Sequence, residues 1–339
     1  MNKLLTLRRL LITLTAATTL WLPATALAIT FKIATVAPDG TNWMKEIRAG
    51  AKEIEQRTEG RVKFKIFPGG IMGNDTSVLR KIRVGQLHGG AFAGSSLIEV
   101  YPDAQLYSLP LQFRSYAEVD YVRARMDGDI KRGMEAAGLV PLGLTEGGFG
   151  YLMSQTEVDE VSDLANLKIW VPEGDPISVA TFREAGVTPI PLPFPDVYTS
   201  LQTGLIDSAV TVPTAAIAFQ WHTRLKTFTD VPLTYVTGTL VVTTKAFSKL
   251  SDADQAIVKE VMNGSFARLS KVNRQDNENA RAALRTQGIT FVNMSAEETA
   301  GMEASADRAI DSLNDGKMYT PALLQRMRSL VREYRAANP

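Results

Sequence analysis

Residues Pro191-Leu-Pro-Phe-Pro-Asp-Val-Tyr-Thr-Ser-Leu-Gln-Thr-Gly-Leu-Ile-Asp207 decide the fold. Thr188 to Leu192, which leads into them, is extended up to Pro193, a residue that cannot donate to a sheet ladder. Val197 to Thr203 then forms a short helix, stopped by Gly204, which is free to take the left-handed conformation that ends helices. Ile206 to Val212 is a second apolar, extended stretch. Strand, helix and strand in such short succession are how a crossover helix joins two parallel strands.

The same order recurs on either side. Ile29 to Val36 alternates as a strand, and Pro38-Asp39-Gly40 is turn chemistry. Trp43, Met44, Ile47, Ala51 and Ile54 share one helix face, with Gly60 just past the expected end. Arg61 to Phe67 alternates again and stops at Pro68-Gly69-Gly70, after which Val78, Leu79 and Ile82 mark a helix closed by Gly85. Leu139 to Leu144 and Leu167 to Val171 read as strands, and Ile177 to Ala185 as a helix. An α/β chain with largely parallel, helix-covered sheets is therefore expected.

Helices dominate towards the C-terminus. Ser251-Asp-Ala-Asp254 is a capping start, and from there to Gln287 only Gly264 interrupts. So long a run either kinks or crosses between domains. Ser295-Ala-Glu-Glu298 has the form of a capping box. Thr320-Pro321 sets a cap and a first-turn proline before the last helix.

The N-terminus reads as an address rather than as structure. Lys3, Arg8 and Arg9 precede an apolar run from Leu10 to Leu22, and Ala26-Leu27-Ala28 is a small-x-small cleavage site. The apolar run is short of the ~20 residues a membrane span needs, and Pro23 breaks it. Residues 1–28 are thus a cleavable signal peptide, with cleavage after Ala28 and a periplasmic destination. No cysteine is present, which rules out the lipoprotein route, thiolate catalysis and cysteine-held metals.

Charge and motifs narrow the function further. The chain is +1 overall and the leader holds three bases and no acids, leaving −2 on the mature protein. That balance offers no footprint for nucleic acid, and no stable membrane insertion of the mature chain is expected. The two histidines, His88 and His222, are far apart and read as ordinary hydrogen-bonded residues. No phosphate loop, nucleophile elbow or zinc-binding histidine pair occurs. Neither enzyme chemistry nor a cofactor or metal is expected.

Several segments together resemble one family. Thr58-Glu59-Gly60-Arg61, then Phe67-Pro68-Gly69-Gly70 with Met72-Gly73, looks like the opening of TRAP-type solute-binding proteins. Leu109 to Arg114 is similar to their "L-P-F-L-F" stretch, and Pro191 to Asp207 matches "P-x-P-x-x-E-V-Y-x-A-L-Q-x-G-x-V-D" almost throughout. The resemblance implies two α/β domains with mixed, mostly parallel sheets, an interdomain cleft, hinge strands and a long helix spanning both domains. It implies boundaries at 29–147 plus 236–275 for the first domain and 148–235 plus 276–339 for the second. It also implies a small-molecule ligand, handed to the large and small membrane subunits of an ion-gradient-driven permease. Signalling to a membrane receptor would use the same closure, and a periplasmic enzyme would need convergent titratable groups that the sequence does not offer.

The family's ligand is usually an organic acid, anchored by an arginine in a "K-x-R-V-P" strand. Here that strand is Lys168-Ile-Trp-Val-Pro172, so Trp170 takes the arginine's place. A "G-x-R" arginine is matched by Gly148-Phe149-Gly150, and the "D-G-x-E-N" segment by Asp207 to Thr211. Burying a ligand carboxylate without a counter-charge costs several kcal/mol (~1–3 for one unmade hydrogen bond, more for charge). A less acidic or more apolar ligand is therefore expected, stacked on Trp170; a cationic head is compatible too, with Glu146, Glu173 and Asp175 nearby in the motifs. The remaining candidate contacts are Phe194, Asn42, Trp43, Asn74, Ser95, Phe149 and Thr211. Tyr198 reads as core, and Trp221 and His222 are weaker candidates.

Overall fold

The computed structural model describes residues 28–314 and 316–338. The basic and apolar parts of the expected signal peptide lie outside the described residues. Among the described residues ten strands form the sheet framework: β1 Ile29–Ala34, β2 Val62–Phe67, β3 Gly89–Ala93, β4 Leu139–Ser154, β5 Ile169–Pro172, β6 Ile190–Leu192, β7 Ser208–Thr211, β8 Thr227–Thr229, β9 Thr234–Thr243 and β10 Thr290–Val292. Their order is β2-β1-β3-β9-β4-β7-β5-β6, with β8 bridging β4 and β10.

The sheet is mixed, and its mixture has a pattern. β1 pairs in parallel with β2 and β3, and β5 with β6 and β7. Between these two parallel groups lie β4 and β9, antiparallel to each other and to their neighbours. The chain is a two-domain α/β protein in which these two strands run from one domain into the other. Two bulges break their register, between Pro141 and Gly143 and between Glu146 and Gly148. Gly148 has φ 111°, and a Cβ there would lie 2.4 Å from Asn277 Nδ2, so no other residue fits without displacement.

The long C-terminal run is one continuous helix, Asp252–Thr286, with the Ser251 hydroxyl accepting from Asp254 N. Gly264 does not break it, because Val261, Met262, Ser265 and Phe266 on either side are buried against the first domain. At ~1.5 Å per residue it is long enough to bridge both domains. Its first half packs with Ile47, Ile54, Leu142 and Leu240. Its second half brings Leu284 into the core around Trp221 and Phe228.

Two helix starts differ from expectation. Ser295 accepts from Glu298 N, but the Glu298 carboxylate turns away and accepts from Val161 N at 2.7 Å. Thr320 makes no cap bond of its own; its N–H and hydroxyl both donate to the buried Asp103, at 2.6 and 2.8 Å. The helix it opens, Pro321–Ala337, lies on the helix Tyr116–Ala136, with Leu324, Met327 and Val331 against Val119, Val122 and Met126. No helix among the described residues is long and apolar enough to cross a membrane.

Candidate functional site

A cavity of about 310 Å³ opens between the two domains. One wall comes from the start of the helix Asp75–Arg83, from Ala93 to Glu99, and from Ser108 to Leu111. The opposite wall comes from Trp170 to Ser178, Pro193, Phe194, Val210 to Val212 and Trp221. The floor includes Leu233, Thr234 and Val236, at the foot of a strand shared by both domains. Positions after strand ends are where open α/β sheets present ligands, since the turns there leave a crevice.

Most of this lining is apolar, and its aromatic part is built tightly. The Trp170 ring meets Trp221 at 5.3 Å and Phe194 at 5.8 Å, both edge to face. Phe194 in turn packs on Phe219 at 4.7 Å. Trp170 Nε1–H donates to the Leu192 carbonyl at 3.0 Å, so its polar atom is satisfied by the protein. It can offer a ligand only an apolar face.

The charged lining has one sign. Asp75, Glu99, Glu173 and Asp175 line the cavity, and no lysine, arginine or histidine appears among its described residues. Asp175 caps its helix, accepting from Ser178 N at 3.0 Å and Ser178 Oγ at 2.6 Å. Burial nevertheless pushes its carboxyl above the ordinary aspartate value, against the pull of those bonds. Asp75 is raised by burial in the same way, with only the Ser96 hydroxyl opposing it. Ser96 Oγ donates to Asp75 Oδ2 at 2.5 Å.

Seven of the residues singled out from sequence line the cavity: Trp170, Phe194, Asn74, Ser95, Glu173, Asp175 and Thr211. Four do not, and each is engaged elsewhere. Asn42 Nδ2 donates to Asp276 on the long helix at 2.5 Å. Trp43 packs against Phe266 at 5.4 Å and over Gly238, as part of the first domain's interior. Glu146 is buried, accepting from Tyr235 Oη at 2.6 Å and from Arg274 Nε at 2.5 Å. Phe149 is core, 4.9 Å from the Tyr116 ring and 5.4 Å from Tyr235.

Of the weaker candidates, Trp221 lines the cavity and His222 does not; Tyr198, read as core, packs half-buried against the cluster around Trp221 and Phe228. His222 Nδ1 lies 3.0 Å from the Ala216 carbonyl, and His88 Nδ1 accepts from Lys32 N at 3.1 Å. No group of acids and histidines among the described residues could hold a metal ion. Sequence reading missed Asp75, Ser96, Gln105 and Thr234. Asp75 directly follows a helix cap, where an acid is ordinary, so its position in the cleft had no signal of its own.

Comparison with known proteins decides the family. The model of bacterial extracellular solute-binding protein family 7, the DctP family, matches residues 33–316. The chain belongs to that family. It is a solute-binding receptor rather than an enzyme, as the family and its relatives are. It is 26% identical over 307 residues to the C4-dicarboxylate-binding periplasmic protein DctP of Rhodobacter capsulatus, covering 87% of this chain and 91% of that one. It is 31% identical over 160 residues to the 2,3-diketo-L-gulonate-binding periplasmic protein YiaO of Escherichia coli, a match covering 46% of this chain and 48% of that one.

Solved structures share the architecture. The sugar acid binding protein DctPAm of Advenella mimigardefordensis, in complex with galactonate, superposes with a TM-score of 0.83 at 19% identity, covering 91% of this chain and 99% of that one. A TRAP periplasmic solute-binding protein of Xanthobacter autotrophicus with bound β-D-galacturonate gives 0.82 at 20% identity, covering 88% and 99%.

Proposed function

We propose that this receptor, exported and cleaved after Ala28, takes up a small molecule between its domains and delivers it to the large and small membrane subunits of a TRAP permease. The closing motion runs about the two shared strands, near the bulge between Glu146 and Gly148. That position supports domain boundaries at 147/148 and 235/236. The packing of Pro321–Ala337 on Tyr116–Ala136 favours counting the last helix with the first domain, instead of with 276–339.

The ligand is less acidic, or more apolar, than the organic acids the relatives hold. One observation carries this reading: no cationic side chain is among the described residues lining the cavity, and four carboxylates are. Two like charges 4 Å apart repel by about 4 kcal/mol at an effective dielectric of 20, so a carboxylate ligand would enter against the site's own charge. Trp170 stands where the family motif carries its arginine, and it offers an apolar face instead.

A thermal-shift screen of metabolites tests the proposal, because a compound that binds only the native state raises its apparent stability, by about 2.7 kcal/mol at a hundredfold excess over Kd. Neutral or cationic compounds with an apolar body should give the largest shifts. Dicarboxylates or sugar acids leading the screen would overturn the ligand class while leaving the receptor role in place.

A further inference from the structure

We infer that Asp75 is the polar anchor of the cleft, and that the ligand presents a protonated amine to it from an otherwise apolar body. The inference rests on the cleft being the ligand site. Buried side-chain polar atoms without a hydrogen-bond partner, among the described residues, are Trp43 Nε1, Asp75 Oδ1, Tyr107 Oη and Thr237 Oγ1. Of these four residues, Asp75 alone lines the cavity. Its Oδ2 is taken by Ser96, so Oδ1 is the open valence. An acceptor closed off from water and left unpaired is costly, and a ligand donor removes that cost.

The neighbouring acids are accounted for differently. Asp175 is occupied as a helix cap, and Glu173 accepts from Asn74 Nδ2 at 3.2 Å. Glu99 is exposed at the rim. A ligand hydroxyl would satisfy Asp75 Oδ1 but would leave the four carboxylates without any counter-charge. An ammonium group satisfies the hydrogen bond and the charge together. It also favours the ionised form of Asp75, against the effect of burial. The wall of Trp170, Phe194 and Trp221 is left to cover the apolar body.

Three probes with the same phenyl-alkyl body separate the possibilities: phenethylamine, phenethyl alcohol and hydrocinnamate, titrated calorimetrically into the mature protein. The amine should bind about tenfold more tightly than the alcohol, the size of one charge-assisted hydrogen bond. Asp75→Asn keeps the side-chain volume and an acceptor for Ser96; in it the amine should lose its advantage over the alcohol. Ser96→Ala should preserve the amine preference, since it removes only the bond to Oδ2. An amine that binds no better than the alcohol, including no binding by any probe, overturns the inference, as does a preference that survives Asp75→Asn. The alcohol leading would leave the apolar-ligand reading standing. Hydrocinnamate leading would remove both.

Discussion

Asn74 and Glu173 meet across the cleft, the amide Nδ2 donating to the carboxylate Oε2 at 3.2 Å. The two residues come from opposite walls, and the same Asn74 caps its helix through Oδ1, which accepts from Ser77 N at 3.0 Å. One side chain therefore serves both a local and an interdomain purpose. Contacts made only between closed domains are the ones that couple ligand binding to closure.

Separating those two purposes gives a first prediction. Glu173→Ala removes only the bridge, so the ligand-free melting temperature should hold while ligand affinity falls about twofold to fivefold, as for one exposed hydrogen bond. Asn74→Ala should lower affinity similarly and also cost about 1 kcal/mol of stability through the lost cap. Equal melting losses in both variants would show that the bridge holds the free protein together too.

A second prediction concerns Glu146, which sequence position alone made a ligand candidate. In the structure Arg274 binds it through Nε at 2.5 Å and Nη2 at 2.9 Å, while also reaching Asp120. Glu146→Ala leaves Tyr235 and Arg274 facing an empty site and should cost about 3 kcal/mol in chemical denaturation. The order of preferred ligands should not change. A changed order with unchanged stability would put Glu146 in the site after all.

The Arg61–Asp254 pair sets a third, through pH. Its hydrogen bonds, Nη2 to Oδ1 at 3.0 Å and Nε to Oδ2 at 3.2 Å, hold the Asp254 carboxyl below the usual aspartate value. A carboxyl depressed by folding contributes in full above its unfolded pKa of about 3.9 and loses that contribution as pH falls through the folded value. The melting-temperature gap between wild type and Asp254→Asn should therefore be widest near neutral pH and shrink below about pH 4. A gap independent of pH would remove the pair from the stability balance.

Trp170→Arg provides the fourth. Arginine at this position would place a guanidinium beside an apolar wall and restore a partner for a ligand carboxylate. Binding of small organic acids should appear or strengthen, and binding of the wild-type ligand should weaken. An unchanged ligand spectrum would mean that Trp170 acts as core, in keeping with its 4% exposure and its bond to Leu192.

Particular residues show what could be read in advance. The helix Val197–Thr203 and its Gly204 stop are as local patterning predicts, because cap and breaker chemistry acts within a few residues. The long helix was legible for the same reason. The strand from Leu139 was expected to end at Leu144, but it continues to Ser154. Glu146-Gly-Gly-Phe-Gly150 looks like a turn in one dimension, and its true role depends on Asn277, far along the chain, closing over Gly148.

The site divides along the same line. Trp170, Phe194 and Glu173 were reachable because they lie in or beside motif positions on the cleft side of their elements. Trp43 and Phe149 lie on neighbouring elements, yet their side chains turn to the long helix and to Tyr235. Burial of that kind is decided by tertiary packing, which single-sequence periodicity does not report. The absence of cationic residues from the cavity lining became visible only once both walls were assembled.

Native mass spectrometry of the mature protein, purified from the periplasm of its own host without added ligand, tests the ligand reading most directly. The bound compound should be neutral or cationic with a substantial apolar part, and should be absent after denaturation and refolding. A C4-dicarboxylate or a sugar acid carried at one per protein would contradict it.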